Sequence, residues 1–209
     1  MSLSPSRVRS MVRSMVAVAA VLSAGALCAC APHSEYMREV ASPVDVKAPP
    51  DQAQVVFIRP GSFALLAGYQ VVDEKGTFLG EILANSRFAV LVPPGDHVFV
   101  AFHDGDPLAR NDAMRARLLP GRTYYVQVQP NMTGVAILAI TPRVDAWNDL
   151  TTWLKDTKQL SPDHAAGQAY MDEHRDDVQD EIASGLKHLS DDDEEDLADH
   201  TLLATDGLP

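Results

Sequence analysis

The side chains best suited to chemistry lie in one short loop of the sequence. His103-Asp104-Gly105-Asp106 places two carboxylates at alternate positions around a glycine, as calcium sites do, and Arg110 follows as a group that binds anions. The loop lacks the further acidic residues and the downstream glutamate of a complete calcium motif. Asx hydrogen bonds in a solvated turn explain the same residues. We favour the solvated turn and keep His103, Asp104, Asp106 and Arg110 as a candidate ligand loop.

Other candidates for metal binding or catalysis are weaker. Three histidines of the C-terminal third are ten and fourteen residues apart: His164, His174 and His188. On a helix these intervals leave the side chains about 80° and 40° out of alignment, so we expect surface residues and no chelating face. No Gly-x-Ser-x-Gly motif for a serine nucleophile is present, while a carboxylate pair for glycoside cleavage stays open because its distance in the fold is unknown. The sequence thus predicts no metal site, no cofactor and no enzyme.

The only two thiols, Cys28 and Cys30, lie at the end of a segment typical of exported proteins. Residues 1–14 carry three arginines and no acidic residue, and residues 15–27 are uncharged. Because this uncharged run is shorter than the roughly 20 residues that cross a bilayer as a helix, it indicates a cleaved secretory signal. A single residue separates the cysteines and no second Cys/His cluster accompanies them, which argues against a zinc or redox pair.

The segment Leu27-Cys28-Ala29-Cys30 resembles the lipobox of bacterial lipoproteins. The resemblance implies that the signal peptidase recognises Leu27, Cys28 and Ala29, and that Cys30 becomes the lipidated first residue of the mature chain. Two or more fatty chains, such as palmitate, attach a protein stably to a membrane. Ala31 stands where an aspartate would retain a lipoprotein in the inner membrane, which favours the outer membrane of the envelope. An uncleaved N-terminal anchor helix is the alternative.

The charge balance limits the partners of the protein. The chain has 17 basic and 29 acidic residues, a net charge of −12. Three of the arginines precede Cys30, so the chain from Cys30 onwards keeps 14 basic residues and a net charge of −15. Such a chain repels phosphate backbones, and we expect no nucleic-acid binding. It also disfavours adsorption on anionic lipid, so we expect the membrane to be contacted through the lipid anchor.

Between residues 52 and 142, short β-rich runs alternate with turns rich in Gly, Pro, Asn and Asp. Their spacing of roughly 8–12 residues predicts a mainly β fold, a small antiparallel sandwich of about seven or eight strands. The last run is apolar on both faces, which predicts a central strand or one covered by a C-terminal helix. Alternating residues mark the inward faces of two runs: Tyr124, Val126 and Val128, and Val98, Val100 and Phe102. The eight runs are 54–59, 69–72, 77–82, 87–92, 97–102, 114–118, 123–128 and 134–140.

After Pro142 the spacing of apolar residues changes to three and four, which predicts a helix. Its apolar stripe comprises Val144, Trp147, Leu150, Trp153 and Leu154. Ser161-Pro162-Asp163 predicts the start of a second helix, with Ser161 as N-cap. Acidic residues crowd the outer face of this helix, and the acidic run 191–196 predicts that the tail after it is disordered.

These patterns divide the chain into five segments. We predict a signal peptide over 1–29, a Cys-anchored flexible linker over 30–51, a β-sandwich domain over 52–142, a helical extension over 143–189 and a disordered acidic tail over 190–209. Prolines punctuate the linker at Pro32, Pro43, Pro49 and Pro50.

Four motifs follow one another in the β region: Val55-Val-Phe-Ile-Arg-Pro60, the glycine pair Gly76 and Gly80, Val92-Pro-Pro-Gly-Asp-His-Val98 and Leu119-Pro-Gly-Arg-Thr-Tyr-Tyr-Val126. In this order they resemble the DUF2846 domain of bacterial lipoproteins, a small β-sandwich akin to PEGA-like surface modules. The resemblance covers residues 52–142 and implies a fold and an envelope location. It implies no chemistry, because that family is uncharacterised.

We therefore expect a lipid-anchored protein of the bacterial cell envelope that acts as a non-enzymatic binding or structural module, with another envelope protein as its partner. The alternative is a binder of a small ligand, glycan or cation, or a hydrolase, that uses the region 103–117. In that region Arg110, Arg115 and Arg117 would hold an anionic group. The sequence leaves the oligomeric state open.

Overall fold

Short apolar runs form the strands, and helices pack against them. The computed structural model describes residues 34–41, 47–103 and 110–209. Within these ranges the strands are β1 (Met37–Glu39), β2 (Ala53–Arg59), β3 (Tyr69–Asp73), β4 (Phe78–Ile82), β5 (Ser86–Val92), β6 (Gly95–Phe102), β7 (Asp112–Leu118), β8 (Thr123–Asn131), β9 (Gly134–Ile140), β10 (Lys158–Pro162) and β11 (Thr201–Leu202). The helices are α1 (Ala146–Asp156), α2 (His164–Glu173), α3 (Arg175–Asp191) and α4 (Glu194–Asp199), and a 3₁₀ turn follows at Ala204–Asp206.

Each of the eight predicted runs forms a strand, from β2 to β9. Three more strands bring the described residues to eleven, which corrects the predicted seven or eight. β1 comes from the predicted linker, β10 from the predicted helical extension and β11 from the predicted tail. Each of these short strands buries a single apolar side chain, Met37, Leu160 or Leu202. These three strands therefore lack the alternation of apolar and polar residues that identified the other eight strands.

The strands form two sheets, arranged like a sandwich, with parallel as well as antiparallel pairs. One sheet has the order β1-β10-β5-β2-β8-β9, and the other has the order β11-β7-β6-β3-β4. β2 runs parallel to β8, β10 to β5 and β11 to β7, so the prediction of an antiparallel sandwich was wrong on this point. Parallel neighbours need crossover connections, and other strands or helices separate each of these pairs along the chain.

Aromatic rings fill the main core between the two sheets. Phe57 of β2 stacks on Phe88 of β5 with ring centroids 5.1 Å apart, and it meets Phe99 of β6 edge-on at 5.5 Å. All three rings are completely buried. The ring of Phe88 comes close to Gly80 of β4, where a Cβ atom would lie 2.6 Å from it. The absence of a side chain at Gly80 thus lets the two sheets approach each other here.

The outer face of the five-stranded sheet carries a second core, formed with α2 and α3. Phe99 and Ala101 of β6 face the main core, while Val100 and Phe102 face the helices. The predicted inward set that includes Val98 therefore packs against helices and not between the sheets. The helical residues of this core are Met171, Val178, Ile182 and Leu189. The other predicted set, Tyr124, Val126 and Val128, is fully buried in the main core, as expected.

α1 covers part of the outer face of the six-stranded sheet. Leu150 is buried against Ile140 of β9, and the partly buried Trp147, Trp153 and Leu154 pack around the same cluster. Four of the five residues of the predicted stripe are thus confirmed, while Val144 precedes the helix. β9 lies at the edge of its sheet and contacts α1. The sequence predicted either a central strand or a strand covered by a C-terminal helix, and β9 is the second of these.

Asp163, and not Ser161, caps the second helix. Ser161 and Pro162 belong to β10, where pairing with β1 keeps them extended. Oδ1 of Asp163 accepts a hydrogen bond from the backbone N–H of Ala166 at 3.2 Å. The predicted single helix is divided at His174 into α2 and α3.

The acidic tail is folded, so the prediction that it is disordered was wrong. β11 joins the five-stranded sheet beside β7, and Leu202 is only 1% exposed. Both carboxylate oxygens of the buried Asp206 accept hydrogen bonds from the guanidinium of Arg143, at 2.6 and 2.9 Å. Arg122 donates to the carbonyl of Gly207 at 2.6 Å. These contacts offset the repulsion among the acidic side chains, on which the prediction rested.

Part of the predicted linker also belongs to the fold. The structure describes it from Ser34, whose hydroxyl donates to the carboxylate of Glu81. β1 then pairs with β10, and Glu39 forms an ion pair with Lys158. Residues 42–46 lie outside the described part of the chain.

Replacing Leu202 by Ala tests the packing of the tail. The substitution leaves a cavity in the main core, and we expect the free energy of unfolding to fall by about 2–5 kcal/mol. Leu203 is 47% exposed and gives the matched control, whose replacement by Ala should change this free energy by no more than about 0.5 kcal/mol. Urea denaturation measures both, and equal effects would contradict the burial of β11.

Candidate functional site

The predicted lipobox residues Leu27, Cys28, Ala29 and Cys30 lie outside the described residues, so their roles stay predictions. Ser34, the first described residue, follows Cys30 by four positions. In the part of the chain that the structure describes, no helix is both long and apolar enough to span a membrane.

The structure does not bring the described members of the candidate ligand loop together. Asp104 and Asp106 lie outside the described residues. His103 turns towards β3, where its Nδ1 lies 2.8 Å from the carbonyl oxygen of Gly68. Because a carbonyl only accepts, this ring nitrogen carries the proton and donates. Arg110 points elsewhere, to α3, so the two ends of the loop serve different neighbours.

The three histidines of the helical region also have separate partners, and no common chelating face forms. His164 is exposed, and His174 and His188 are half-buried. Nδ1 of His164 lies 3.2 Å from the carbonyl of Phe78, His174 stacks on Tyr170 with centroids 4.2 Å apart, and Nδ1 of His188 lies 2.8 Å from Nη2 of Arg110. Across residues 34–41, 47–103 and 110–209, no group of three His, Cys, Asp or Glu side chains is arranged to hold a metal ion.

The other two arginines of the predicted region line a surface cavity. This cavity of about 440 Å³ lies beside β6, β7 and β11, and its polar lining includes Arg115, Arg117, His97, Glu74 and Asp96. Nε of Arg117 is 3.7 Å from the carboxylate of Asp96, and both side chains are exposed. The volume falls within the range of about 300–1,000 Å³ that is usual for ligand sites. Charges of both signs suit a polar ligand with anionic and donor groups.

A second cavity, of about 290 Å³, lies on the outer face of the six-stranded sheet. Lys47, Arg87 and Tyr125 line it together with Leu154 of α1 and the terminal Pro209. The guanidinium of Arg87 donates to the backbone carbonyl of Thr157 and so supports the start of β10. Arg87 therefore has a structural partner within the fold.

An imidazole between two carboxylates forms a buried charged cluster that was not predicted from the sequence. Nδ1 of His200 is 2.7 Å from Asp192, and Nε2 is 3.0 Å from Asp112. The same oxygen of Asp112 accepts a hydrogen bond from the backbone N–H of Ile137 at 2.9 Å. Burial lowers the pKa of His200, but the two carboxylates raise it by more, to about 9. The imidazole is therefore positively charged at neutral pH.

The geometry of this cluster suits a structural role and not proton transfer to or from a substrate. Both ring nitrogens of His200 face carboxylates, so neither is free to take a proton from a substrate. The charged ring instead joins Asp192, just after α3, to Asp112 at the start of β7. Because His200 directly precedes β11, the cluster holds the C-terminal segment in place. Asp112 lies so far from His200 along the chain that no local pattern could have revealed the contact.

Arg59 is the second buried charge that was not predicted to have a role. Its side chain is completely buried at the end of β2, and its Cζ atom lies 5.0 Å from the centre of the Tyr69 ring. The guanidinium donates hydrogen bonds to four backbone carbonyls, those of Ala67 at 2.6 Å, Ala64 at 2.7 Å and Phe63 at 2.8 Å in the loop, and that of Ile82 at 3.4 Å. Burial lowers the pKa of Arg59, and the interaction with Tyr69 raises it. The only sequence signal was an arginine directly after four apolar residues.

Comparisons with protein-family models, with curated proteins and with solved structures found no match to this chain. The resemblance to the DUF2846 domain therefore stays a prediction.

His200 should make the stability of the protein depend on pH on the alkaline side of neutrality. Its pKa is about 9 in the folded protein against an ordinary value of 6.5, so its stabilising contribution is complete below pH 6.5 and is lost as the pH rises through 9. We expect the urea midpoint of the wild type to fall over this interval, and that of His200→Gln to fall less.

The matched control for this experiment is His97→Gln. His97 is half-buried and forms no ion pair within the described residues. Its replacement should leave the wild-type pH dependence unchanged. The charged cluster would be contradicted by a His200→Gln variant whose urea midpoint follows pH as the wild type does.

Proposed function

We propose that this protein is a lipid-anchored protein of the bacterial cell envelope that acts as a non-enzymatic binding or structural module. The observation that carries the proposal is the order of the N-terminal segments: a basic stretch, a short uncharged run and the lipobox-like Leu27-Cys28-Ala29-Cys30. The first described residue, Ser34, follows Cys30 by four positions, and the first strand of the β domain begins at Met37. Acyl chains on Cys30 would hold this domain at a membrane surface.

The environment of the buried ionisable groups supports a non-enzymatic role. Arg59 is bound by loop carbonyls, His200 by two carboxylates and Asp206 by Arg143. Acid–base catalysis requires a side chain within hydrogen-bond reach of its substrate. These three groups instead contact other parts of the fold, so each serves to stabilise it.

The charge and the residue after Cys30 support the location and the type of partner. Ala31, in place of an aspartate, favours transfer to the outer membrane. The acidic chain disfavours nucleic acid and fits an envelope protein with a basic surface. Because β10 and β11 complete the two sheets, a search for this partner by crosslinking in cells requires the full chain, and not a fragment that ends before residue 143.

Metabolic labelling with radioactive palmitate tests the lipid anchor. We expect label on the wild type and none on Cys30→Ser, which should also leave the membrane fraction, because a serine hydroxyl does not receive the diacylglyceryl group. Cys28→Ser is the matched control, since it removes a thiol two positions away and keeps a small residue in the lipobox. Equal labelling of Cys30→Ser and the wild type, or no label on either, would overturn the proposed anchor.

A second candidate function is the binding of a small anionic ligand or a glycan in the cavity beside Arg115 and Arg117. The observation in its favour is the pair of exposed guanidinium groups on one wall of a cavity of about 440 Å³. Guanidinium groups bind carboxylate and phosphate oxygens through paired hydrogen bonds. A cell-wall fragment carries both carboxylates and hydroxyl groups and fits this lining.

Thermal unfolding with soluble peptidoglycan fragments tests this second candidate. A ligand at a hundred times its Kd stabilises the fold by about 2.7 kcal/mol, so the Tm of the wild type should rise. The double variant Arg115→Ala/Arg117→Ala should lose this rise. Arg175→Ala, which removes an exposed arginine paired with Asp172 on the helical surface, should keep it. No change in Tm with fragments, sugars or calcium would contradict ligand binding at this cavity.

A further inference from the structure

The loop between β2 and β3, residues 60–68, is the most apolar exposed segment of the described chain. None of its nine residues is charged, although the whole protein has a net charge of −12. Three large apolar side chains of this loop are exposed: Phe63 by 55%, Leu65 by 42% and Leu66 by 81%. Contiguous apolar groups exposed in this way mark contacts with a membrane or another protein.

Five of the nine backbone carbonyls of this apolar loop accept hydrogen bonds from described residues. Arg59 donates to the carbonyls of Phe63, Ala64 and Ala67. The remaining partners come from the neighbouring chain: the N–H of Asn85 donates to Gly61 at 3.0 Å, and Nδ1 of His103 donates to Gly68 at 2.8 Å. A carbonyl without a partner is costly in an apolar medium, and these five already have one. These five carbonyls therefore do not oppose entry of the loop into the interfacial region, where headgroups and water can bond the other polar groups of its backbone.

The predicted anchor joins the domain beside this loop. The hydroxyl of Ser34 donates to the carboxylate of Glu81. That carboxylate lies against Gly68, where an added Cβ atom would be 1.8 Å from Oε1 of Glu81. Ser34 is thus next to the base of the apolar loop. Cys30 lies four residues earlier, and four residues of extended chain span about 13–14 Å.

We propose that the apolar loop of residues 60–68 inserts into the interfacial region of the same bilayer that holds the acyl chains of Cys30. The inference rests on the proposed lipid anchor. The short connection to Cys30 keeps the loop near the lipid, and the uncharged sequence suits entry between headgroups. The acidic remainder of the protein is repelled by anionic lipid, so the contact is confined to this loop.

Insertion of the loop would orient the domain. β3 begins at Tyr69, directly after the loop, and pairs with the end of β6 near Phe102. β6 in turn pairs with β7 so that Ala101 faces Asp112 and Gly95 faces Leu118. Leu118 therefore lies at the end of the sheet remote from the loop, about 20 Å along the strand from Asp112. Leu119 follows and is 41% exposed, so it gives a control position away from the bilayer.

Fluorescence quenching by lipid tests the insertion. Once the sulfur of Cys30 carries the diacylglyceryl group, a cysteine introduced elsewhere is the only free thiol of the mature protein. Leu66→Cys and the control Leu119→Cys are purified as lipidated proteins, labelled with nitrobenzoxadiazole and placed in vesicles of phosphatidylethanolamine and phosphatidylglycerol. We expect lipids brominated on their acyl chains to quench the label at position 66 and to leave the label at position 119 unquenched. Phe63→Cys provides a second position in the loop and should behave like Leu66→Cys.

Flotation of the same vesicles separates the hypothesis of loop insertion from that of the lipid anchor on Cys30. If the wild type floats with the vesicles and the labels at positions 63 and 66 are not quenched, loop insertion is overturned while the anchor stands. Equal quenching at positions 66 and 119 also overturns the inference, because the domain would then have no preferred orientation. Failure of the wild type to float would overturn the anchor, and the loop proposal with it.

Discussion

The buried guanidinium of Arg59 fixes the point where the chain passes from one sheet to the other. Moving a charged group out of water is costly unless hydrogen bonds replace its hydration, and here three loop carbonyls and the ring of Tyr69 do so. Arg59 is the last residue of β2 and Tyr69 is the first residue of β3, so one side chain connects both ends of the loop. This contact determines the path of the loop, the exposure of its apolar side chains and the position where β3 begins.

A related constraint operates at the other end of the chain. The C-terminal segment is strongly acidic, and its repulsion would keep it unfolded if no cations opposed it. Arg143 neutralises Asp206, and the imidazole of His200 lies between Asp192 and Asp112. Arg143 follows β9 and Asp112 begins β7, so these contacts join the C-terminal segment to the β domain, while Asp192 holds His200 from within the segment. These few ion pairs therefore help to hold β11 in its sheet.

The fold could be predicted from the sequence wherever local periodicity determines structure. The eight runs from β2 to β9 and the stripe around Leu150 follow from apolar spacing alone. β1, β10 and β11 could not be predicted, since each buries one apolar residue and is held by pairing with a distant strand. The candidate site shows the same limit. The Arg115 and Arg117 wall lies on a strand recognised from its spacing, whereas the roles of Arg59 and His200 arise from partners that only the tertiary fold brings near.

The two proposed surfaces are compatible with one orientation of the domain. The apolar loop and Ser34 lie at the end of the five-stranded sheet where β3 begins, and the anchor would draw this end towards the bilayer. Arg117 of β7 pairs with Asp96 of β6. It lies two residues before Leu119, near the end of β7 that is remote from the loop. With the loop in the lipid, the cavity lined by Arg115 and Arg117 would open away from the membrane. The guanidinium of Arg117 would then lie near the end of β7 remote from the lipid phosphates and that of Arg115 midway along the strand, and both would stay available to a ligand in the aqueous envelope space.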